Sequence, residues 1–168
     1  MAQGSVMRAL RHVVTDHGTV RRSFPPSELA RVEAATAAGE KRHRGQVCVA
    51  IEGALPVGRV LKRVTPRERA LEVFGVLRVW DTEENCGVLV YLLLADRDVE
   101  IVADRGIHAK VGDDTWNAIC HRMEKAFRAG QYAEAVEEGV LAVSDLLAQH
   151  SPDTGGERNE IPDKPIVL

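Results

Sequence analysis

The chain has 168 residues, of which 45% are apolar, 28% charged and 4% aromatic, with a formal net charge of -3 and a sequence pI near 6.1. This is enough chain for one domain with its own core, so no disulfide or structural metal is needed for folding, and the charge excludes a bulk nucleic-acid binder. Cys48, Cys86 and Cys120 form no CxxC pair and read as reduced thiols, no apolar run reaches membrane-span length, and no signal peptide pattern opens the chain, so a cytoplasmic location is expected.

Residues 5–16 place Val6, Met7, Leu10, Val13 and Val14 at helical spacing among Arg8, Arg11 and His12. That predicts an amphipathic helix packed on the domain, with contact to a membrane surface as the alternative. Pro25-Pro26-Ser27 opens a second helix, ending between Gly39 and Gly45, and together these form a helical extension over residues 1–45. An α/β domain is expected over residues 46–150. Gln46 to Glu52 reads as its first strand, residues 53–64 as loop or partly extended chain, and Thr65-Pro66-Arg67-Glu68 as a capped helix start. From there Ala70, Leu71, Phe74 and Leu77 share a face as far as Trp80.

The polar turn Asp81 to Gly87 leads into Val88 to Leu94, an unbroken apolar run typical of a strand buried on both faces. A helix joins the two strands, which predicts parallel pairing with a right-handed crossover. Ala95 to Asp98 then turns the chain into an antiparallel return strand through Val99, Ile101 and Ala103. Helices follow at 113–129, with Trp116, Ile119, Cys120, Met123 and Phe127 inward, and at 131–150, with Tyr132, Val136, Val140, Val143 and Leu147 inward. Residues 151–168 have the composition of a flexible tail.

This topology sorts the acidic residues between the two ends of the sheet. Glu52, Asp96 and Asp98 fall at the turn end, whereas Asp81, Glu83, Glu84, Asn85, Asp104, His108, Asp113 and Asp114 can converge at the open end. An oxygen-rich set suits a hard divalent cation such as calcium or magnesium, and the imidazole of His108 admits zinc. The structural alternative is solvated loops and helix caps, Asp113 or Asp114 capping the following helix. No GxSxG elbow, P-loop or GxGxxG turn is present. His12, His17 and His43 show no metal-ligand spacing, His121 reads as a surface residue, and Arg63, Arg67 and Arg69 either bind an anion or line a solvated helix face.

Trp80-Asp81, Asn85-Cys86-Gly87-Val88-Leu89, Asp96-Arg97, Gly106-Ile107, Asp113 and Phe127-Arg128-Ala129-Gly130-Gln131-Tyr132, in that order, resemble the TPM domain family over about residues 46–148. The resemblance implies a Rossmann-like α/β sandwich, a mixed sheet with helices on both faces, here preceded by N-terminal helices. It also implies a divalent-metal site in some members, acid-phosphatase-type activity in at least one, and assembly or accessory roles in others. By position, the metal candidates are Asn85 and Asp113, with Asp81 and Glu84 beside them. Cys86 stands where the family's turn carries a second asparagine, Asp104 where its loop has a glycine, and His108 where a glutamate often follows; exchanging a carboxylate for an imidazole weakens a calcium site, and Asp104 restores the charge.

The expected function is that of a bacterial cytoplasmic TPM-type module that binds a divalent cation through Asp81, Glu84, Asn85, Asp104, His108 and Asp113 and engages a protein partner in interaction or quality control, not nucleic acid. The rival is a metal-assisted phosphomonoesterase with Asp104 or His108 as the acid-base group. Arg105 is the one basic residue adjoining that set, fewer than phosphoryl transfer generally employs.

Overall fold

In the computed structural model, which describes residues 2–15, 17–155 and 159–168, helices α1 (Ala2–Val14), α2 (His17–Ser23) and α3 (Pro26–Glu40) precede strand β1 (Gln46–Glu52). Helices α4 (Val57–Leu61) and α5 (Pro66–Val76) lead to β2 (Gly87–Leu93), which turns into β3 (Asp98–Ala103). Helices α6 (Arg105–Val111), α7 (Asp113–Arg128) and α8 (Tyr132–His150) and a short β4 (Ile166–Val167) complete the order.

The sheet runs β3-β2-β1-β4. Strands β1 and β2 are parallel, with Gln46 opposite Gly87 and Glu52 opposite Leu93, while β2 and β3 form the antiparallel hairpin. Every residue of β1 and β2 is buried, because helices cover both faces and the period of two sends alternate side chains into two separate cores. Val47, Val49, Ile51, Val88, Val90 and Leu92 pack with Trp116, Ile119, Met123 and Phe127 of α7 and Val136, Val140, Val143 and Leu147 of α8. Cys48, Ala50, Leu89, Tyr91 and Leu93 pack instead with Val60 of α4 and Ala70 and Val73 of α5. The fold is therefore an α/β sandwich with a mixed sheet.

Several expectations change. The tail expected to be flexible over 151–168 lies against the domain in its described part: Ala50 pairs with Ile166 and Ile51 with Val167, Ile161 is buried, and Gln46 Oε1 accepts from the amides of Glu160 and Ile161 at 2.8 and 3.0 Å. Its Pro, Gly and charge content hides an edge strand only two residues long. Residues 156–158 lie outside the described residues, as does Asp16 at the end of the stretch 5–16. The segment 53–64 contains a helical turn, α4, packed on α1, and α2 and α6 are too short to leave a periodic signal. Helix α5 starts with the expected capping box of Thr65 and Glu68 but ends at Val76, and Leu71 lies at the margin of its inward face, 50% exposed.

The largest inversion is in α1. Its apolar side chains Val6, Met7, Leu10, Val13 and Val14 face outward, while Arg8 and His12 are the side chains set against the domain. At the hairpin tip the Asp96 carboxylate meets Arg8, Arg11 and His12, which sets the polar face of the helix against the domain.

Candidate functional site

At the turn end the acids are consumed by structure. Glu52 is buried at the end of β1, where its carboxylate accepts from Arg69 Nε at 2.8 Å and Nη2 at 3.2 Å and from the Tyr91 hydroxyl at 2.6 Å. A carboxylate with a bidentate guanidinium and a phenol is fully engaged, and burial together with that carboxylate raises the Tyr91 hydroxyl far above its ordinary value. Asp96 accepts from Arg8 Nε at 2.9 Å, with Arg11 Nη2 3.5 Å from its other oxygen. His12 Nε2 stands 3.2 Å from Asp96 Oδ2, and His12 Nδ1 accepts the Leu55 amide at 2.9 Å. Because Nδ1 is an acceptor, the imidazole is the neutral Nε2–H tautomer, and burial lowers its pKa despite the carboxylate. Asp98 is the exception at this end: burial pushes its carboxyl up to about 7 and one oxygen lacks a partner.

The open-end set expected from the sequence is divided among local partners. Asp81 pairs with Arg78 at 3.3 Å and Glu84 with Arg44 at 2.8 Å. Asn85 adopts φ of 51°, a left-handed conformation that asparagine tolerates, and its carbonyl lies against α6, where a Cβ on Gly106 would stand 2.6 Å from it. Asp104 is 8% exposed and caps α6, its Oδ1 accepting the Arg105 amide at 2.6 Å, while Oδ2 has no hydrogen-bond partner. One helical turn on, His108 Nε2 lies 3.6 Å from Asp113 Oδ1. Asp113 and Asp114 sit in the first turn of α7 behind Gly112, whose φ is 82°, and neither provides a side-chain cap. Both acids complement the helix dipole from solvent.

Among the described residues, no three His, Cys, Asp or Glu side chains gather in a way that can hold one metal ion. Arginines pair with two of the eight groups expected at the open end, Asp81 and Glu84, and a helix cap takes a third, Asp104. A hard cation asks for six or more oxygens, so the set Asp81, Glu84, Asn85, Asp104, His108 and Asp113 does not fit a cation enclosed by protein ligands. The single orphaned oxygen of Asp104 is the feature that points toward one.

What the open end does contain is a cavity of about 400 Å³, lined by Glu40, Lys41, His43 and Arg44 after α3, Glu83 and Glu84 before β2, and Asp153, Asn159, Glu160 and Asp163 from the C-terminal segment. Glu40 Oε1 accepts the Val47 amide at 2.7 Å, yet burial, reinforced by the neighbouring Asp163 carboxyl, raises its pKa to about 8. Asp163 accepts from Asn159 at 3.0 Å, and Glu160 accepts the Glu83 amide at 3.2 Å. His43, buried at the same end, donates from Nδ1 to the Gly45 carbonyl at 3.0 Å, and burial lowers its pKa to about 4. It is a neutral imidazole among carboxyl groups.

Sequence reasoning found Glu83 and Glu84 and missed Glu40, His43, Glu160 and Asp163. A helix-terminal glutamate carries no pattern of its own, and the two C-terminal acids were hidden in a segment that reads as disordered. Cys48 and Cys120 are buried thiols pushed up to about 12 by burial, and Cys86 lies 3.2 Å from the Glu84 carbonyl, so all three are structural. His121 is exposed beside Glu124, as expected, and the side chain of His17 lies outside the described residues. Arg67 and Arg69 are engaged with Glu100 and Glu52, which removes them from an anion site.

The TPM domain model matches residues 20–146, and the chain belongs to that family. The match begins earlier than the residue resemblance does and takes in α3, whereas α1 lies outside it. The BA42 protein of the psychrophilic bacterium Bizionia argentinensis, solved by NMR, is similar at a TM-score of 0.76 and 23% identity over 86% of this chain and 95% of its own. The N-terminal domain of a P. gingivalis protein is similar at a TM-score of 0.61 and 24% identity over 77% and 82%. These likenesses establish the fold. No curated protein matches the chain.

Proposed function

We propose that this TPM domain is a binding module whose open-end cavity receives a cationic group, the ammonium or guanidinium of a protein partner's lysine or arginine. The observation that carries the reading is the Glu40 carboxyl, held near pKa 8 beside Asp163 in a cavity with four further acids at its walls. An entering cation displaces the proton from that pair and gains a desolvated carboxylate partner, which is worth more than a rim charge. The cavity volume suits one long side chain, His43 is neutral, and of the two basic residues at the wall, Lys41 and Arg44, the second is paired with Glu84.

The test is an amide NMR titration of the full chain with tetralysine and tetraarginine. Shifts should concentrate at residues 40–47, 83–86 and 159–163, strengthen as the pH rises through 8, and vanish in Glu40→Gln with Asp163→Asn. Absence of shifts at millimolar peptide, or shifts indifferent to the substitutions, refutes the assignment.

A second reading, a divalent cation at the junction of the Asn85 turn and α6, is favoured by the partnerless Oδ2 of Asp104. Calcium, magnesium and zinc titrations of wild type and Asp104→Asn separate it from the first, since shifts would fall at residues 85–87 and 104–108. Phosphomonoester hydrolysis has less support: Asp104 is committed to a helix cap, His108 faces Asp113, and neither lines the cavity. We expect p-nitrophenyl phosphate turnover, with each of these metals added, to be unaffected by Asp104→Asn or His108→Gln.

A further inference from the structure

A helix that packs on a water-soluble domain normally buries its apolar stripe. Helix α1 does the reverse. At roughly 100° per residue, Val6, Met7, Leu10, Val13 and Val14 occupy one arc of about 120°, with Arg11 at its margin. All five are between 54% and 67% exposed. The opposite side holds the chain's own contacts: Arg8 on Asp96, His12 on the Leu55 amide, and Ala9 against the second core. The helix is therefore fixed in an orientation that presents a hydrophobic ridge, where rotation about its axis would break a cluster of buried polar contacts.

Charge follows the same division. Residues 1–24 carry four arginines and one aspartate, so the remaining residues carry a net -6. Helix α4, packed on α1, ends in exposed Leu61 and is followed by exposed Lys62 and Arg63, while Arg11 at the margin of the ridge lies 3.5 Å from Asp96.

We propose that α1 docks the protein on an anionic lipid surface, with Val6, Met7, Leu10, Val13 and Val14 entering the acyl boundary and Lys62 and Arg63, which follow the helix packed on α1, meeting the headgroups. An outward apolar ridge beside exposed basic residues suits a yielding, negatively charged plane, and an amphipathic helix of this kind lies about 5–10 Å into the interface. A second copy is a poorer occupant, since a two-fold pair would set the same basic residues against one another.

The full chain is tested by co-flotation with phosphatidylglycerol–phosphatidylcholine vesicles and with phosphatidylcholine vesicles. Wild type should float with the anionic vesicles and far less with the neutral ones. Leu10→Glu or Val13→Glu, both at exposed positions, should weaken partition by roughly tenfold or more. Lys62→Gln and Arg63→Gln should each weaken it about fivefold, the effect of removing one headgroup-facing charge. Circular dichroism of each variant should match wild type, which separates lost binding from lost fold. The proposal is overturned if wild type does not float, if Leu10→Glu floats equally, or if sedimentation shows a dimer that Leu10→Glu dissociates, in which case the ridge belongs to a second copy.

Discussion

The two ends of the sheet use their carboxylates in opposite ways. At the turn end, Glu52 and Asp96 each meet guanidinium groups supplied by helices on the same face of the sheet, α5 and α1, and become part of the scaffold. At the open end, Glu40 and Asp163 lie together, and burial raises the Glu40 carboxyl to about 8. The contrast teaches that an acidic residue reads as structural or functional according to whether a buried cation reaches it, not according to its place in the sequence.

Breaking the turn end should produce the largest effect. Glu52→Ala leaves the Tyr91 hydroxyl and the Arg69 guanidinium without their shared partner, and urea unfolding should show a loss of about 3 kcal/mol or more, as for other truncated buried pairs. Glu52→Gln retains two acceptor lone pairs and should lose less.

The pH dependence sharpens the comparison at the open end. His43 is depressed to about 4, so its contribution to stability is intact above the unfolded value of 6.5 and is lost as pH falls through 4, by up to about 3 kcal/mol. Glu40 works in the other direction. With its folded value raised to about 8, stability is fully present below 4.5 and is lost as pH rises through 8. Urea midpoints measured across this range should therefore pass through a maximum, and Glu40→Gln should flatten the alkaline limb while preserving the acceptor for the Val47 amide. Asp98, raised to about 7, contributes an alkaline limb of the same sign that Glu40→Gln leaves in place.

Releasing α1 should cost less, since only its polar face is engaged. Asp96→Asn removes the charge that holds Arg8, Arg11 and His12, and is expected to lower stability by about 1–2 kcal/mol. Hydrogen exchange should accelerate in residues 6–14 and remain slow in β1 and β2, which would show that the helix opens without the sandwich. The smallest effect belongs to the exposed pair of Arg42 and Asp145: Asp145→Ala should change stability by no more than about 0.5 kcal/mol.

Much of the fold was legible because its signals are local. Val88 to Leu94 is an uninterrupted apolar run, the Thr65 capping box marks a helix start, and Trp116, Ile119, Met123 and Phe127 recur at helical spacing, all with the burial those patterns imply. The alternation through Val47, Val49 and Ile51 against Cys48 and Ala50 needs two covered faces, and the sheet has them. The candidate site was legible only in part. Glu83 and Glu84 were placed at the open end, but that Arg44 pairs with Glu84, that Arg78 pairs with Asp81 and that Asp104 caps α6 carries no local signal.

The sequence by itself therefore determined the α/β class, the parallel pairing of β1 with β2, the hairpin and the closing helices, because apolar periodicity and turn chemistry act between near neighbours. Only the tertiary structure decided that residues 159–168 close the cavity with Glu160 and Asp163, that Glu40 faces them, and that α1 turns its apolar side outward. Each of those depends on a contact between segments far apart in the chain, Gln46 with Glu160, Glu40 with Asp163 and Arg8 with Asp96, and no local pattern records which distant partner a polar side chain will meet.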